Sequence, residues 1–257
     1  MTTPPTTSSD RSPPRAADAP RAALAHSSSG PRAAGSRHDS QVRYFGSNLK
    51  ILPGVTLPLQ SMLVTDTERA LLISPVGTPE EAAHIAAAPV TLIAPSLLHH
   101  LHLPAAIERF RPVALWGPPG LAHKRPELGP VHVFGVDAWP HRDLLEVAVI
   151  EGAPVRNEVV FFHPASRTIY TADLFFNVRE PEGALTSLAM RLLGVHRRFA
   201  AAKQWRRWVT DRAAFTRSIE EVLAWDFERI AMAHGDPIED RAHDRFEIAL
   251  RELGLLE

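Results

Sequence analysis

Short apolar runs separated by polar turns make up most of the chain from residue 41 onward. The stretch SMLVTDTERALLISPV holds two such runs around a polar turn at Asp66–Arg69, which predicts a β-hairpin. TPEEAAHIAAA follows, with Thr78 suited to cap a helix and Pro79 suited to its first position. VTLIAP then predicts a short buried strand, LHLPAAIERF a helix and PVALWGPP another strand. This alternation of strands and helices is typical of an α/β layer.

The second half of the chain starts with three apolar runs and then becomes helical. LLEVAVIEG, NEVVFFHP and RTIYTADLFFN predict a β-meander, and residues 182–224 have helical character. FERIAMAHGDP predicts a last strand, and IEDRAHDRFEIALREL predicts a final amphipathic helix. The apolar residues near one face of that helix are Ile238, Ala242, Phe246, Ala249, Leu250 and Leu253. The fold class predicted is α/β, either a layered αββα sandwich or one doubly wound sheet.

The first forty residues have a different composition from the rest. They consist mainly of Pro, Ser, Thr, Ala and Arg and contain no aromatic residue, Ile or Val. Such a segment cannot bury enough apolar surface to offset its conformational entropy, so we expect residues 1–40 to be a disordered tail. Residues 41–257 are expected to form the folded domain. A transit peptide is the alternative for the tail, because it is rich in Arg and Ser.

Composition limits the chemistry that the chain can perform. It has 257 residues, a formal net charge of -1, no cysteine and 13 histidines. Thiolate metal sites, disulfides and cysteine nucleophiles are therefore excluded, and any metal must be held by His, Asp or Glu. The absence of cysteine favours a reducing, cytoplasmic location. The charge balance favours no specific nucleic acid, and no apolar stretch has the length of a transmembrane segment.

Polar residues at the ends of predicted strands are the candidates for function. The sequence contains none of the common nucleotide-binding, zinc-protease or serine-hydrolase motifs. Four places have polar groups or glycine where α/β folds bind ligands, namely His99–His102, Gly152, Asp173 and His234. Asp173 ends an apolar strand and is followed by LFF, so its carboxylate needs a cation, amide donors or a metal. The structural alternative is that Asp173 caps a turn and that the histidines are satisfied by hydrogen bonds.

These stretches together resemble the metallo-β-lactamase fold hydrolases and, more narrowly, the family named DUF4336. The resemblance runs from about residue 41 to the C-terminus and rests on LIAPSLLHHLHL, GLAHKRPEL, EGAPVRNEVVFFHPASRTIYTADLFFN and AMAHGDPI. In that fold one strand ends in H-x-H-x-D-H, a Gly-His turn follows, and an Asp and a His end two later strands. It implies a four-layer αββα sandwich with a helical insertion at about residues 182–224.

The resemblance also implies a reduced metal site. Pro95, Leu97 and Ala153 stand where the fold has the three ligands of its first metal, so the usual two-metal centre is not expected. The ligands that remain for one divalent metal ion are His99, His100, Asp173 and His234. Zinc suits this set, and iron or manganese are alternatives. His102 is expected to hydrogen-bond a metal ligand or to line the wall of the site, with a ligand or general-base role as alternatives.

Two functions from different classes follow from this resemblance. The first is a metal-dependent hydrolase-like protein whose metal-bound water attacks a small-molecule ester, thioester, lactone or phosphoester. The second is a non-catalytic member of the fold that binds a partner through a basic helical face. An oxidoreductase with iron in the same pocket is a third reading.

The basic helical face lies between Arg191 and Arg217. This segment holds eight Arg and Lys residues with Asp211 as its single acid, and Trp205 and Trp208 stand among them. It predicts an anionic partner, and the structural alternative is a solvated helix face. In the fold that the chain resembles, a helical insertion after the Asp strand often covers the mouth of the active site.

Overall fold

The computed structural model of the protein describes residues 40–85 and 88–256. The disordered tail predicted over residues 1–40 therefore lies outside the described residues, apart from Ser40. The strands are β1 (Gln41–Leu52), β2 (Val55–Thr65), β3 (Ala70–Ile73), β4 (Val90–Ile93), β5 (Ala114–Gly117), β6 (His132–Val133), β7 (Glu146–Val149), β8 (Val159–His163), β9 (Thr168–Thr171), β10 (Phe175–Phe176), β11 (Ala200–Ala201) and β12 (Arg229–Met232). The helices are α1 (Pro79–His84), α2 (Leu103–Phe110), α3 (Leu121–Lys124), α4 (Ala184–Leu193), α5 (Trp205–Trp208), α6 (Arg212–Leu223) and α7 (Ala242–Glu252).

Two main sheets carry the fold. The first has the order β1-β2-β3-β4-β5-β6, antiparallel from β1 to β3 and parallel from β3 to β6. The second has the order β12-β9-β8-β7, in which β12 runs parallel to β9 and the other neighbours are antiparallel. The predicted β-meander is thus confirmed as β7, β8 and β9.

Three hydrophobic clusters of the described residues fill the spaces between the layers of the molecule. Between the sheets, Ile93 and Trp116 of the first sheet share a cluster with Phe161 and Tyr170 of the second. A second cluster joins the outer face of the first sheet to α2. A third joins the outer face of the second sheet to α4, α6 and α7. Each sheet buries one face against the other and one against helices, which confirms the αββα sandwich rather than a single doubly wound sheet.

Local signals in the sequence account for several elements. The hairpin between β2 and β3 turns at Asp66, whose Oδ1 accepts hydrogen bonds from the backbone N–H groups of Glu68 and Arg69 at 2.8 and 2.9 Å. The Thr78 hydroxyl accepts from the backbone N–H of Glu81 at 3.1 Å and caps α1, with Pro79 at its first position. The predicted hairpin and capped helix are therefore both confirmed.

Three elements differ from the sequence-based expectation. The twelve-residue strand β1 was not predicted from the sequence. It lies at an edge of the sheet and most of its residues are exposed or half-buried, so its sequence has no continuous apolar run. The final helix begins at Ala242, and Ile238 instead exchanges two backbone hydrogen bonds with Ile230, at 2.8 and 2.9 Å. Residues 182–224 contain α4, α5 and α6 but also β11, which pairs with β10. In the described part of the chain, no helix is long and apolar enough to cross a bilayer.

Candidate metal centre

Three strand ends bring the candidate ligands together. Asp173 follows β9 and His234 follows β12, and these two strands are parallel neighbours with Thr171 paired to Met232. Both side chains therefore emerge at the same edge of the second sheet. His99 lies in the turn after β4, a strand of the facing sheet. The site consequently lies between the two sheets, at the carboxyl ends of β4, β9 and β12.

The side chains of His99, Asp173 and His234 form a compact buried group. The Oδ1 atom of Asp173 lies 3.6 Å from Nε2 of His234 and 3.8 Å from Nε2 of His99. One potential ligand atom from each residue lies within 4.8 Å of the others. No more than 8% of any of the three side chains is exposed. The structure thus brings together three of the four residues predicted to hold a metal.

The second nitrogen of each imidazole is held by a partner outside the group. His234 Nδ1 lies 3.0 Å from the carbonyl oxygen of Pro58, which can only accept a hydrogen bond, so Nδ1 carries the proton. His99 Nδ1 lies 2.7 Å from the hydroxyl oxygen of Ser74. Metal-binding histidines typically use the non-ligating nitrogen in this way, which leaves the other nitrogen free to bind the metal.

Asp173 is held from three directions. The Ser96 hydroxyl donates to its Oδ2 atom at 2.6 Å, and the Trp205 indole N–H donates to its carbonyl oxygen at 3.0 Å. Its backbone N–H and that of Ala172 donate to the buried carboxylate of Glu158 at 2.9 and 2.8 Å. These contacts fix the carboxylate so that Oδ1 faces the two histidines.

The surroundings lower the pKa of Asp173 and raise the pKa of Glu158. Burial tends to raise the pKa of Asp173, but the charges and proximity of His99 and His234 outweigh burial and hold that pKa well below its usual range. Burial, followed by the charge of Asp173, raises the pKa of the Glu158 carboxyl above its usual range. Asp173 is therefore the carboxylate available to a cation.

The donor set fits one divalent metal. Two imidazole nitrogens and one carboxylate oxygen are a known set for catalytic zinc and for mononuclear iron. Donors that share a metal at about 2.1 Å in a tetrahedral arrangement lie roughly 3.4 Å apart. The observed separations of 3.6 and 3.8 Å from Asp173 are within a few tenths of an ångström of that value.

His100 and His102 lie outside this group. The guanidinium of Arg125 donates to Nδ1 of His100 through Nη1, and burial together with the charges of Lys124 and Arg125 lowers the pKa of His100. His102 directly precedes α2, where its carbonyl oxygen accepts from the backbone N–H of Ala106 at 3.0 Å. The roles predicted for His100 and His102 therefore stay predictions.

The three residues expected in place of first-metal ligands lie beside the turn at residues 151–157. Ala153 is fully buried, and its carbonyl oxygen accepts from the backbone N–H of Arg156 at 2.9 Å. The carbonyl oxygen of Arg156 accepts in turn from the backbone N–H of Leu97 at 2.9 Å. Pro95 accepts from the backbone N–H of Val159 at 2.8 Å. None of the three apolar side chains can bind a metal.

Sequence reasoning missed three polar residues around the cluster. Ser96, Arg156 and Glu158 are buried and lie within the stretches that carry the resemblance, but they were not among the candidate site residues. A signal existed for the last two, because two charged residues lie within three positions of the start of the apolar run VVFF. Ser96 carried no such signal, since its contact with Asp173 joins residues 77 positions apart.

Comparison with known proteins identifies the fold. No family model and no curated protein sequence matches the chain. A metallo-β-lactamase from Erythrobacter litoralis matches with a TM-score of 0.54 and 18% identity, over 82% of this chain and 88% of that one. FIM-1 from Pseudomonas aeruginosa, a metallo-β-lactamase in its mono-zinc form, has a TM-score of 0.54 and 14% identity, over 83% and 91%. The metal-soaked Flv1 flavodiiron core from Synechocystis sp. PCC6803 has a TM-score of 0.55 and 13% identity, over 84% and 59%.

Structural similarity at 13–18% sequence identity defines the fold of the chain but not its family. The chain has the metallo-β-lactamase fold, as its resemblance in sequence implied. It combines that fold with a buried His-Asp-His group able to hold a metal. The narrower resemblance to DUF4336 stays a prediction.

Proposed function

We propose that this protein is a metal-dependent, hydrolase-like protein with a single metal ion held by His99, Asp173 and His234. Zinc is the proposed metal, with iron or manganese as the alternatives. The observation that carries the proposal is that both histidines direct Nε2 at the ionised Asp173 while their Nδ1 atoms are engaged elsewhere.

The fold and the missing first-metal ligands support a site with one metal. Neighbours of the same fold include metallo-β-lactamases, and the FIM-1 structure is a mono-zinc form, so this architecture is compatible with one zinc ion. Pro95, Leu97 and Ala153 offer no side-chain ligand for a second ion.

The proposed reaction is hydrolysis of a small-molecule ester, thioester, lactone or phosphoester. A divalent metal bound to three protein ligands supplies Lewis acidity for such a reaction. Ser96 and the carboxylate of Glu158 orient Asp173. The ring of Phe176 stacks on that of His234 at 4.7 Å between centroids and shields this side of the group from water.

Metal analysis of purified protein tests this proposal. The protein is stripped with a chelator, incubated with zinc, iron(II) or manganese in turn, desalted and analysed by inductively coupled plasma mass spectrometry. We expect about one equivalent of one metal per chain, as tight binding by three ligands requires. Asp173→Asn, His99→Ala and His234→Ala should each lose it.

Matched controls define the result that contradicts the proposal. Asp240→Asn and His123→Ala change exposed residues of the same types and should keep the metal. His100→Ala and His102→Ala test the predicted roles of these two histidines directly. Less than about 0.2 equivalents in the unchanged protein, whichever metal is offered, contradicts a metal site of useful affinity.

A second function, binding of an anionic partner, is favoured by a basic groove on the helical side of the molecule. The groove has a volume of about 600 Å³. Its lining includes Arg198, Lys203, Arg206, Arg207 and the exposed Leu192. Among the described residues that line it, the acid is Glu252, which pairs with Arg198 at 3.1 Å. The groove belongs to the basic segment between Arg191 and Arg217 and is separate from the His-Asp-His group.

Vesicle sedimentation tests this second function. We expect the protein to sediment with vesicles containing phosphatidylglycerol and not with phosphatidylcholine alone, because the positive side chains of the groove attract anionic headgroups. A double variant Arg206→Glu, Arg207→Glu should abolish sedimentation, whereas Arg43→Glu on β1, which is not a lining residue of the groove, should not. Equal sedimentation of the double variant contradicts a role for the groove.

A further inference from the structure

Arg156 is a buried cation that forms no ion pair within residues 40–85 and 88–256. Only 9% of the residue is exposed, and its Nε atom is buried with no hydrogen-bond partner. Throughout the part of the chain that the structure describes, no group accepts a hydrogen bond from this guanidinium or forms an ion pair with it. The guanidinium carbon lies 3.5 Å from the centroid of the Trp208 ring.

The two carboxyl groups that act on Arg156 have other hydrogen-bond and ion-pair partners. Asp173 and Glu158 both act on its charge electrostatically. Asp173, however, receives Ser96 on Oδ2 and faces the histidines with Oδ1. Glu158 accepts backbone N–H groups on both of its oxygens. A buried guanidinium normally has its donors satisfied by a carboxylate, so the donors of Arg156 remain available to a ligand.

The backbone places Arg156 at the side of the centre that lacks metal ligands. Its N–H donates to Ala153 and its carbonyl accepts from Leu97, each at 2.9 Å. Ala153 and Leu97 are two of the residues that replace first-metal ligands in the resemblance to the fold. Arg156 therefore belongs to the turn that carries first-metal ligands in the fold that the sequence resembles.

We propose that Arg156 binds an oxyanion of the substrate, a carboxylate or a phosphate group, next to the metal held by His99, Asp173 and His234. This inference rests on the proposed function and narrows its substrate class to anionic small molecules. With a divalent metal bound, the metal and Arg156 together outweigh the charges of Asp173 and Glu158, so the centre attracts an anion.

Trp208 fixes the guanidinium for this task. Stacking on the indole face restricts the plane of the guanidinium and leaves its edge donors available. Two parallel N–H donors on that edge match the oxygens of a carboxylate or phosphate. Trp208 ends α5 in the basic segment, so the helical insertion contributes directly to the anion site.

Calorimetric titration with inorganic phosphate, and in parallel with acetate, tests the proposal on zinc-loaded and metal-free protein. We expect Arg156→Met to raise the dissociation constant for the anion by about tenfold or more, because one charge-assisted contact is lost. Arg156→Lys keeps the charge but not the paired donors, so its dissociation constant should lie between those of the unchanged protein and Arg156→Met. Arg142→Met, at an exposed arginine, is the matched control and should bind as the unchanged protein does.

The outcomes separate this inference from the proposed function. Zinc binding with anion affinity unchanged in Arg156→Met overturns the anion site alone. Arg156-dependent anion binding in a protein that holds no metal supports the anion site and contradicts the metal centre. Binding of neither phosphate nor acetate by the unchanged protein overturns the anion site. Arg156→Met removes an unpaired buried charge, so we expect it to fold and to unfold at a higher temperature.

Discussion

The Nε2 atom of His234 lies 3.6 Å from the Oδ1 atom of Asp173, although 61 residues separate them in the chain. Parallel pairing of β9 with β12 creates this proximity, because both residues follow their strands at the same sheet edge. His99 completes the group from the opposite sheet. The group therefore depends on the sandwich and not on any local motif.

Zinc should stabilise the folded protein. A ligand that binds only the folded state adds about 4 kcal/mol at a free concentration one thousand times its dissociation constant. We expect a higher melting temperature with zinc and a lower one after chelation, measured by differential scanning calorimetry. Asp173→Asn should show neither change, whereas a shift of equal size in Asp173→Asn would show that zinc acts elsewhere.

Ser96→Ala should weaken the metal site without removing a ligand. The variant loses the 2.6 Å hydrogen bond to Asp173 Oδ2, so the carboxylate is less well oriented. Loss of such a supporting contact typically lowers metal affinity, and we expect Ser96→Ala to lower it by roughly 10- to 100-fold. Competition with a zinc indicator measures it. Ser187→Ala on α4 is the control, and equal affinities in the two variants contradict the orienting role.

Stability should fall as the pH drops from about 6.5 toward 4, owing to His163. Burial lowers the pKa of His163 to about 4, and its Nδ1 accepts a hydrogen bond from the Ser166 backbone. The unfolded chain takes up this proton first, near pH 6.5, so the folded state loses about 3 kcal/mol at most by pH 4. Above pH 6.5 the contribution is complete and constant.

Urea unfolding at a series of pH values measures this effect. His163→Asn should flatten the slope of unfolding free energy between pH 6.5 and pH 4. His123→Asn, at an exposed histidine, should keep the slope of the unchanged protein. An unaltered slope in His163→Asn would falsify the assignment.

Gly152→Ala should destabilise the protein far more than Gly129→Ala does. Both glycines have positive φ, +72° and +81°, so both substitutions cost about 1–3 kcal/mol in backbone conformation. A Cβ at Gly152 would also lie 2.1 Å from the carbonyl oxygen of Asp211, whereas nothing lies within 4 Å of one at Gly129. Chemical denaturation compares the two, and similar losses would contradict tight packing of the turn against α6.

Much of the fold was predictable because its signals are local. The polar turn at Asp66, the Thr78 cap and the apolar runs of β7 to β9 each depend on neighbouring residues. The strand β1 and the start of α7 were not predictable in this way. Ile238 fits the apolar face of a helix in sequence, yet its backbone pairs with Ile230, a contact that only the folded sheet offers.

The sequence by itself determined the kinds of residue available to the site. With no cysteine, only His, Asp and Glu could hold a metal, and Asp173 and His234 stood out because each ends an apolar strand. The tertiary structure decided which of them meet. It joined His99 to these two and directed His100 toward Arg125. It also decided the partners of Asp173 and left Arg156 Nε without a hydrogen bond among the described residues, because such contacts depend on how two sheets pack and not on local sequence.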